Sequence, residues 1–226
     1  MAIARRQPAA SRRHTSPACT PRRASGARHS PAALRFALVL LACLVGVAGW
    51  AQGAAPPLYT QDDLLFLTHM VMHHEQALDM AALVPSRSNR EEFRRFARYV
   101  DGAQRSEIDQ MNSLLEEAAA RGLQIPHHEM HGDPPMDGML SKAQMAALTS
   151  ATGPEFERLW LQGMIYHHEG ALRMARAQQE RDFEAHRQPF GIDVLADNII
   201  DVQRGEITKM KGWLEEWGLA HPAPPR

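Results

Sequence analysis

Cysteine is nearly absent: the 226 residues hold two, Cys19 and Cys43, and both fall within the first 53. The rest of the chain therefore has neither a disulfide nor a thiolate to serve as nucleophile or metal ligand, so any soft ligand must be methionine. Aromatic residues make up only 6%. No apolar run reaches the roughly 20 residues that a membrane-crossing helix needs. Several reactive patterns are also missing. There is no Gly-x-Ser-x-Gly elbow and no phosphate-binding loop. His74-Glu75 and His168-Glu169 lack the second histidine of a zinc-protease motif. No glutamate precedes a histidine by three residues, as the ferritin-like di-iron sites require, which also counts against a di-metal oxidase. These absences leave no catalytic residue to nominate, and the expectation is a protein that is not an enzyme.

Acidic residues are absent from positions 1–53, where eight arginines stand among Ser, Pro and Ala. This basic stretch runs into the uncharged Phe36 to Trp50 and then into the small residues from Ala51 to Ala55. Positive, apolar, then small is the order of a secretory signal peptide. The expected division is thus a signal peptide and basic leader over 1–53, cut between Ala51 and Ala55, and an exported domain over 54–226, periplasmic or secreted and with no membrane span. The competing reading makes Leu40-Leu41-Ala42-Cys43 a lipobox with a lipid anchor on Cys43. The leader holds eight of the 25 basic residues and none of the 26 acidic ones, so the remainder has a net charge of −9. An acidic surface argues against nucleic acid as a partner.

What is present is a repeat. The segment Phe66 to Ala81 matches Trp160 to Ala175 at an offset of 94, each carrying Met-x-x-His-His-Glu. A second pair, Gln104-Arg105-Ser106-Glu107-Ile108 and Gln203-Arg204-Gly205-Glu206-Ile207, matches at an offset of 99. Apolar residues recur every three or four positions in all four segments, the period of a helix. The spacing predicts helices over about 61–83 (stopping near Pro85), 89–120, 153–182 and 191–217, with Thr60 as a cap and Gly122 and Gly218 as stops. The fold class expected is all-α: a four-helix bundle, ferritin-like, of two repeated helical hairpins (61–122 and 153–218) joined by a long crossover (123–152). Within the crossover, Ser141 to Leu148 reads as a short capped helix.

Met70, His73, Ala77 and Met80 share one helical stripe with His74 beside it, and Met164, His167, Ala171, Met174 and His168 repeat the arrangement. Imidazole together with thioether and no thiolate points to copper, as Cu(I), Cu(II) or both. Met111 and Met210 could add sulfur from the partner helices. The crossover adds His127, His128, Met130, His131, Met136 and Met139, a composition that reads as metal-binding. The competing reading makes the methionines flexible core packing and the histidines hydrogen-bonded core residues, with Glu75 and Glu169 as candidate partners. His69 has Gly163 as its counterpart and is peripheral.

The doubled Met-x-x-His-His-x-x-Ala-x-x-Met-Ala, the Met136-Asp137-Gly138-Met139 turn and the Gln-x-x-Glu-Ile-x-x-Met segments resemble the bacterial family catalogued as domain of unknown function 305. The resemblance covers about 62–218. It implies a ferritin-like helical bundle, usually exported, with members linked to periplasmic copper binding and copper resistance. Residue by residue it points to Met70, His73, His74, Met80, Met164, His167, His168 and Met174, with Met136 and Met139 as secondary candidates. The functional expectation is copper sequestration, resistance or delivery, with copper ions as partner, a copper-transport protein as the recipient that delivery requires, and oligomers left open. The alternative is a helical structural or interaction module without metal.

Overall fold

The structure is a computed structural model that describes residues 57–126, 136–189 and 191–220. The leader with Cys43, and His127, His128, Met130 and His131 of the crossover, lie outside the described residues. Five helices follow in order: α1 (Gln61–Arg87), α2 (Glu91–Ala120), α3 (Lys142–Ser150), α4 (Gly153–Glu184) and α5 (Ile192–Glu216). No strand occurs among the described residues. No described helix is long and apolar enough to cross a membrane.

Local chemistry sets the helix ends. Thr60 Oγ1 accepts from the Asp63 amide while the Asp63 carboxylate accepts from the Thr60 amide, a reciprocal cap on α1. Ser141 and Gln144 cap α3 in the same way. Gly122 ends α2 at φ 84°, a left-handed conformation that costs glycine nothing, and Leu123 then donates its amide back to Ala118. The expected stop of α1 before Pro85 is corrected, because the helix runs through Pro85 to Arg87. Proline removes one backbone hydrogen bond, and in the last turn this loss does not propagate; the Ser88 amide still closes the helix on Val84 O at 3.1 Å.

The hairpins α1/α2 and α4/α5 pack against each other chiefly through α1 and α4. These two run antiparallel: Trp160 Nε1 donates to Met80 O, His167 Nε2 to His73 O, and Gln178 Nε2 to Asp63 Oδ1, so rising numbers on one helix meet falling numbers on the other. The repeat thus becomes a pseudo-two-fold arrangement centred on His73 and His167. The apolar core is divided in two. One cluster gathers Met80, Val84, Phe93, Phe96, Trp160, Met164, Met210 and Trp213. The other gathers Leu64, Leu67, Met70, Met111, Ala171, Ala175, Leu195 and Ile199. On each long helix a buried polar pair separates the two: His73 and His74 on α1, Gln104 and Glu107 on α2, His167 and His168 on α4, Gln203 and Glu206 on α5.

Candidate metal centre

Four imidazoles with no solvent exposure occupy the middle of a helical core, where an unpaired polar group carries a cost of a few kcal/mol. Each side chain is half satisfied. His74 Nε2 lies 2.8 Å from Glu107 Oε2, and His168 Nε2 lies 2.6 Å from Glu206 Oε2. His167 Nε2 reaches the carbonyl of His73 at 2.8 Å, and His73 Nε2 reaches the carbonyl of Asp137 at 3.1 Å. A carbonyl only accepts, so in His73 and His167 the proton sits on Nε2 and Nδ1 keeps its lone pair. Glutamate carboxylates impose the same tautomer on neutral His74 and His168. The Nδ1 atoms of all four histidines are buried without a hydrogen-bond partner.

Electrostatics keep the central pair neutral. Burial, reinforced by neighbouring His74, pushes the His73 pKa down to about 3. Burial and the adjacent His73 likewise hold His167 well below the ordinary histidine value. The two rings approach to 3.9 Å between centroids, a separation at which two imidazolium cations would repel. Two neutral rings with unprotonated Nδ1 atoms can take a metal without first losing a proton, and two more rings beside them are held in place by carboxylates.

The crossover closes over this layer. Gly138, at φ 82°, packs on Gly170 of α4 so closely that a Cβ on Gly170 would stand 2.5 Å from Gly138 Cα and 2.6 Å from Asp137 O. The Asp137 carboxylate pairs with Arg173, whose hydrogen bonds hold it below the usual carboxylate range. Gln76 grips the crossover just beyond this turn through both backbone groups of one residue, donating to Leu140 O at 3.0 Å and accepting from Leu140 N at 2.7 Å.

The sequence-predicted residues sort as follows. The four histidines are brought together, and Met70, Met80 and Met164 are fully buried in the clusters beside them. Met139 is buried and Met136 half-buried on the turn that meets the histidine layer. Met174 is half-buried and lines an open cavity with Phe66 and His69. The expected carboxylate partners are corrected: Glu75 is exposed and Glu169 pairs with Lys211 at 2.9 Å, whereas Glu107 and Glu206 hold the histidines. Helical geometry explains the change, because a residue adjacent to a core histidine points about 100° away from it. Sequence reasoning missed Gln104 and Gln203 as well, both buried and one turn before these glutamates. The signal was present, since all four belong to the second repeated segment. Among the described residues no three His, Asp or Glu side chains are grouped so as to hold a metal ion.

Comparison with known proteins agrees with this architecture. Residues 63–214 match the family model described as domain of unknown function (DUF305), and the chain belongs to that family. No curated protein matches it. Among solved structures, a DUF305 fragment from Deinococcus radiodurans is 31% identical with a TM-score of 0.61, over 71% of this chain and 99% of that one. A putative secreted DUF305 protein from Streptomyces coelicolor is 29% identical with a TM-score of 0.58, over 70% of this chain and 94% of that one. CopM in its Cu(I)-bound form is 27% identical with a TM-score of 0.52, over 70% of this chain and 98% of that one. CopM structures with Cu(II) and with silver also match.

Proposed function

We propose that this DUF305 protein is an exported copper-binding protein that sequesters or delivers the ion through histidine and methionine side chains. The observation that carries the reading is the set of four buried Nδ1 lone pairs without a partner at His73, His74, His167 and His168. Carboxylate bonding at the far nitrogen of a histidine fixes the ring and raises the basicity of the nitrogen that faces a metal. With no cysteine beyond residue 43, the neighbouring soft donors are thioethers, and a mixed imidazole and thioether set favours copper over zinc or magnesium. The similarity to CopM, solved with Cu(I) and Cu(II), supports the same direction. Export is our reading of the basic and apolar leader, and the similarity to a putative secreted DUF305 protein supports it. The candidate ligands are Met70, His73, His74, Met80, Met164, His167, His168 and Met174, with Met136 and Met139 on the closing turn.

The test is a titration of the purified protein with Cu(I) and with Cu(II) against competing chelators, beside a variant in which all four histidines are glutamine. Tight binding lost in the variant supports the reading. A second reading draws on the hydrogen bonds of His74 and His168 to glutamate: the layer is a structural polar network with no metal. Absence of binding in the parent, with the variant less stable, would establish that one instead.

A further inference from the structure

The methionines obey the pseudo-two-fold, and in doing so they fall into two sets. Met80, Met164 and Met210 are fully buried and share one apolar cluster. Met70 and Met111 are fully buried in the other, with Met174 packed against it. The repeat offsets carry Met70 onto Met164, Met111 onto Met210 and Met80 onto Met174. One set therefore maps onto the other, and each draws its three sulfurs from three different helices. Leucine would fill such positions at lower entropic cost, so methionine at all six repeat-related places calls for more than packing. Between the sets lie the four imidazoles with unpartnered Nδ1 atoms.

We propose that the bundle holds two soft-metal centres, one on each side of the histidine layer: Met80, Met164 and Met210 supply the thioethers of the first, and Met70, Met111 and Met174 those of the second. This rests on the copper reading above and extends it to stoichiometry and to two residues, Met111 and Met210, on the outer helices. Thioethers are soft, uncharged donors, so the cargo they select is a soft monovalent ion, Cu(I) or its redox-inert analogue Ag(I).

The two centres differ in access. Over the first, Leu140 of the crossover lies 3.0 Å from a Cβ built on Gly163, and the Met80 methyl lies 3.3 Å from it. At the pseudo-equivalent place His69 replaces glycine, and with Met174 it lines a solvent-open cavity of about 290 Å³. Met174 thus puts the edge of the second centre against solvent, while Met70 and Met111 stay fully buried behind it.

Native mass spectrometry of the purified protein during anaerobic Ag(I) and Cu(I) titration counts the ions directly. Two equivalents are expected for the parent, and one each for M70L/M111L/M174L and M80L/M164L/M210L. Methionine to leucine conserves volume, and circular dichroism checks that the variants fold. Should a triple variant fail to fold, M111L and M210L alone are each expected to weaken one of the two binding steps at least tenfold. A single equivalent in the parent overturns the two-centre proposal while leaving copper binding intact. So does full parental stoichiometry in either triple variant, with binding lost only in the histidine variant. No binding in the parent overturns both.

Discussion

His167 donates its Nε2 proton to the backbone carbonyl of His73 at 2.8 Å, and the two rings lie 3.9 Å apart. This contact between repeat-related residues 94 positions apart sits at the pseudo-symmetry centre of the bundle. It locks the tautomer of one ring through the main chain that carries the other.

The carboxylates of Glu107 and Glu206 hold His74 and His168 by charged hydrogen bonds. Replacing both by glutamine keeps an acceptor at each place but removes the charge. Copper affinity is expected to fall about 10- to 100-fold, the usual effect of altering a partner that orients a metal-ligating histidine. Chelator competition measures it. Unchanged affinity would show that these glutamates have no part in metal binding.

Acid should destabilise the metal-free protein through its buried histidines. His73 has a folded pKa of about 3 against 6.5 for an ordinary histidine, and His167 is displaced in the same direction. Below pH 6.5 the unfolded chain takes up protons that the folded chain refuses. Stability is therefore full above that pH and falls as the pH drops toward 3. The upper limit is about 1.4 kcal/mol per pH unit for each histidine. Urea midpoints between pH 7 and 4.5 test this, and a flat profile in that window would refute it.

Gly170→Ala places a methyl 2.5 Å from Gly138 Cα and 2.6 Å from Asp137 O, and backbone cannot yield as a side chain does. A net loss of about 1–3 kcal/mol is expected from overpacking, despite alanine's better helix propensity. Gly163→Ala meets only the ends of Leu140 and Met80 and should be milder. Thermal melts of the two variants, read side by side, check the order.

At one end of the bundle Arg187, with a side chain 11% exposed, pairs with Asp63 at 2.7 Å and Asp182 at 3.2 Å. Burial alone would raise the Asp63 pKa, but hydrogen bonds from Arg187 and Thr60 bring it below the ordinary value. Arg187→Met strands two buried carboxylates, and a loss of about 3–5 kcal/mol is expected in chemical denaturation. An effect within about 0.5 kcal/mol, as at a free surface site, would show the pair to be solvated.

Much of the fold was legible because helices are written locally. Thr60, Ser141, Gly122 and Gly218 mark ends through hydrogen bonds and dihedrals within a few residues of themselves, and the three-four spacing names the buried face. Pro85 misled because its effect depends on how much helix follows it.

The sequence by itself determined the helical repeat, the four core histidines and the methionine positions, since each follows from periodicity along a single helix. Only the tertiary structure decided which groups those histidines meet. The antiparallel register of α1 and α4 sets His73 against His167, and the hairpin registers bring Glu107 and Glu206 to His74 and His168 in place of their sequence neighbours. Such pairings depend on how helices slide and rotate against each other. That choice is made by the packing of whole faces, which no local spacing encodes.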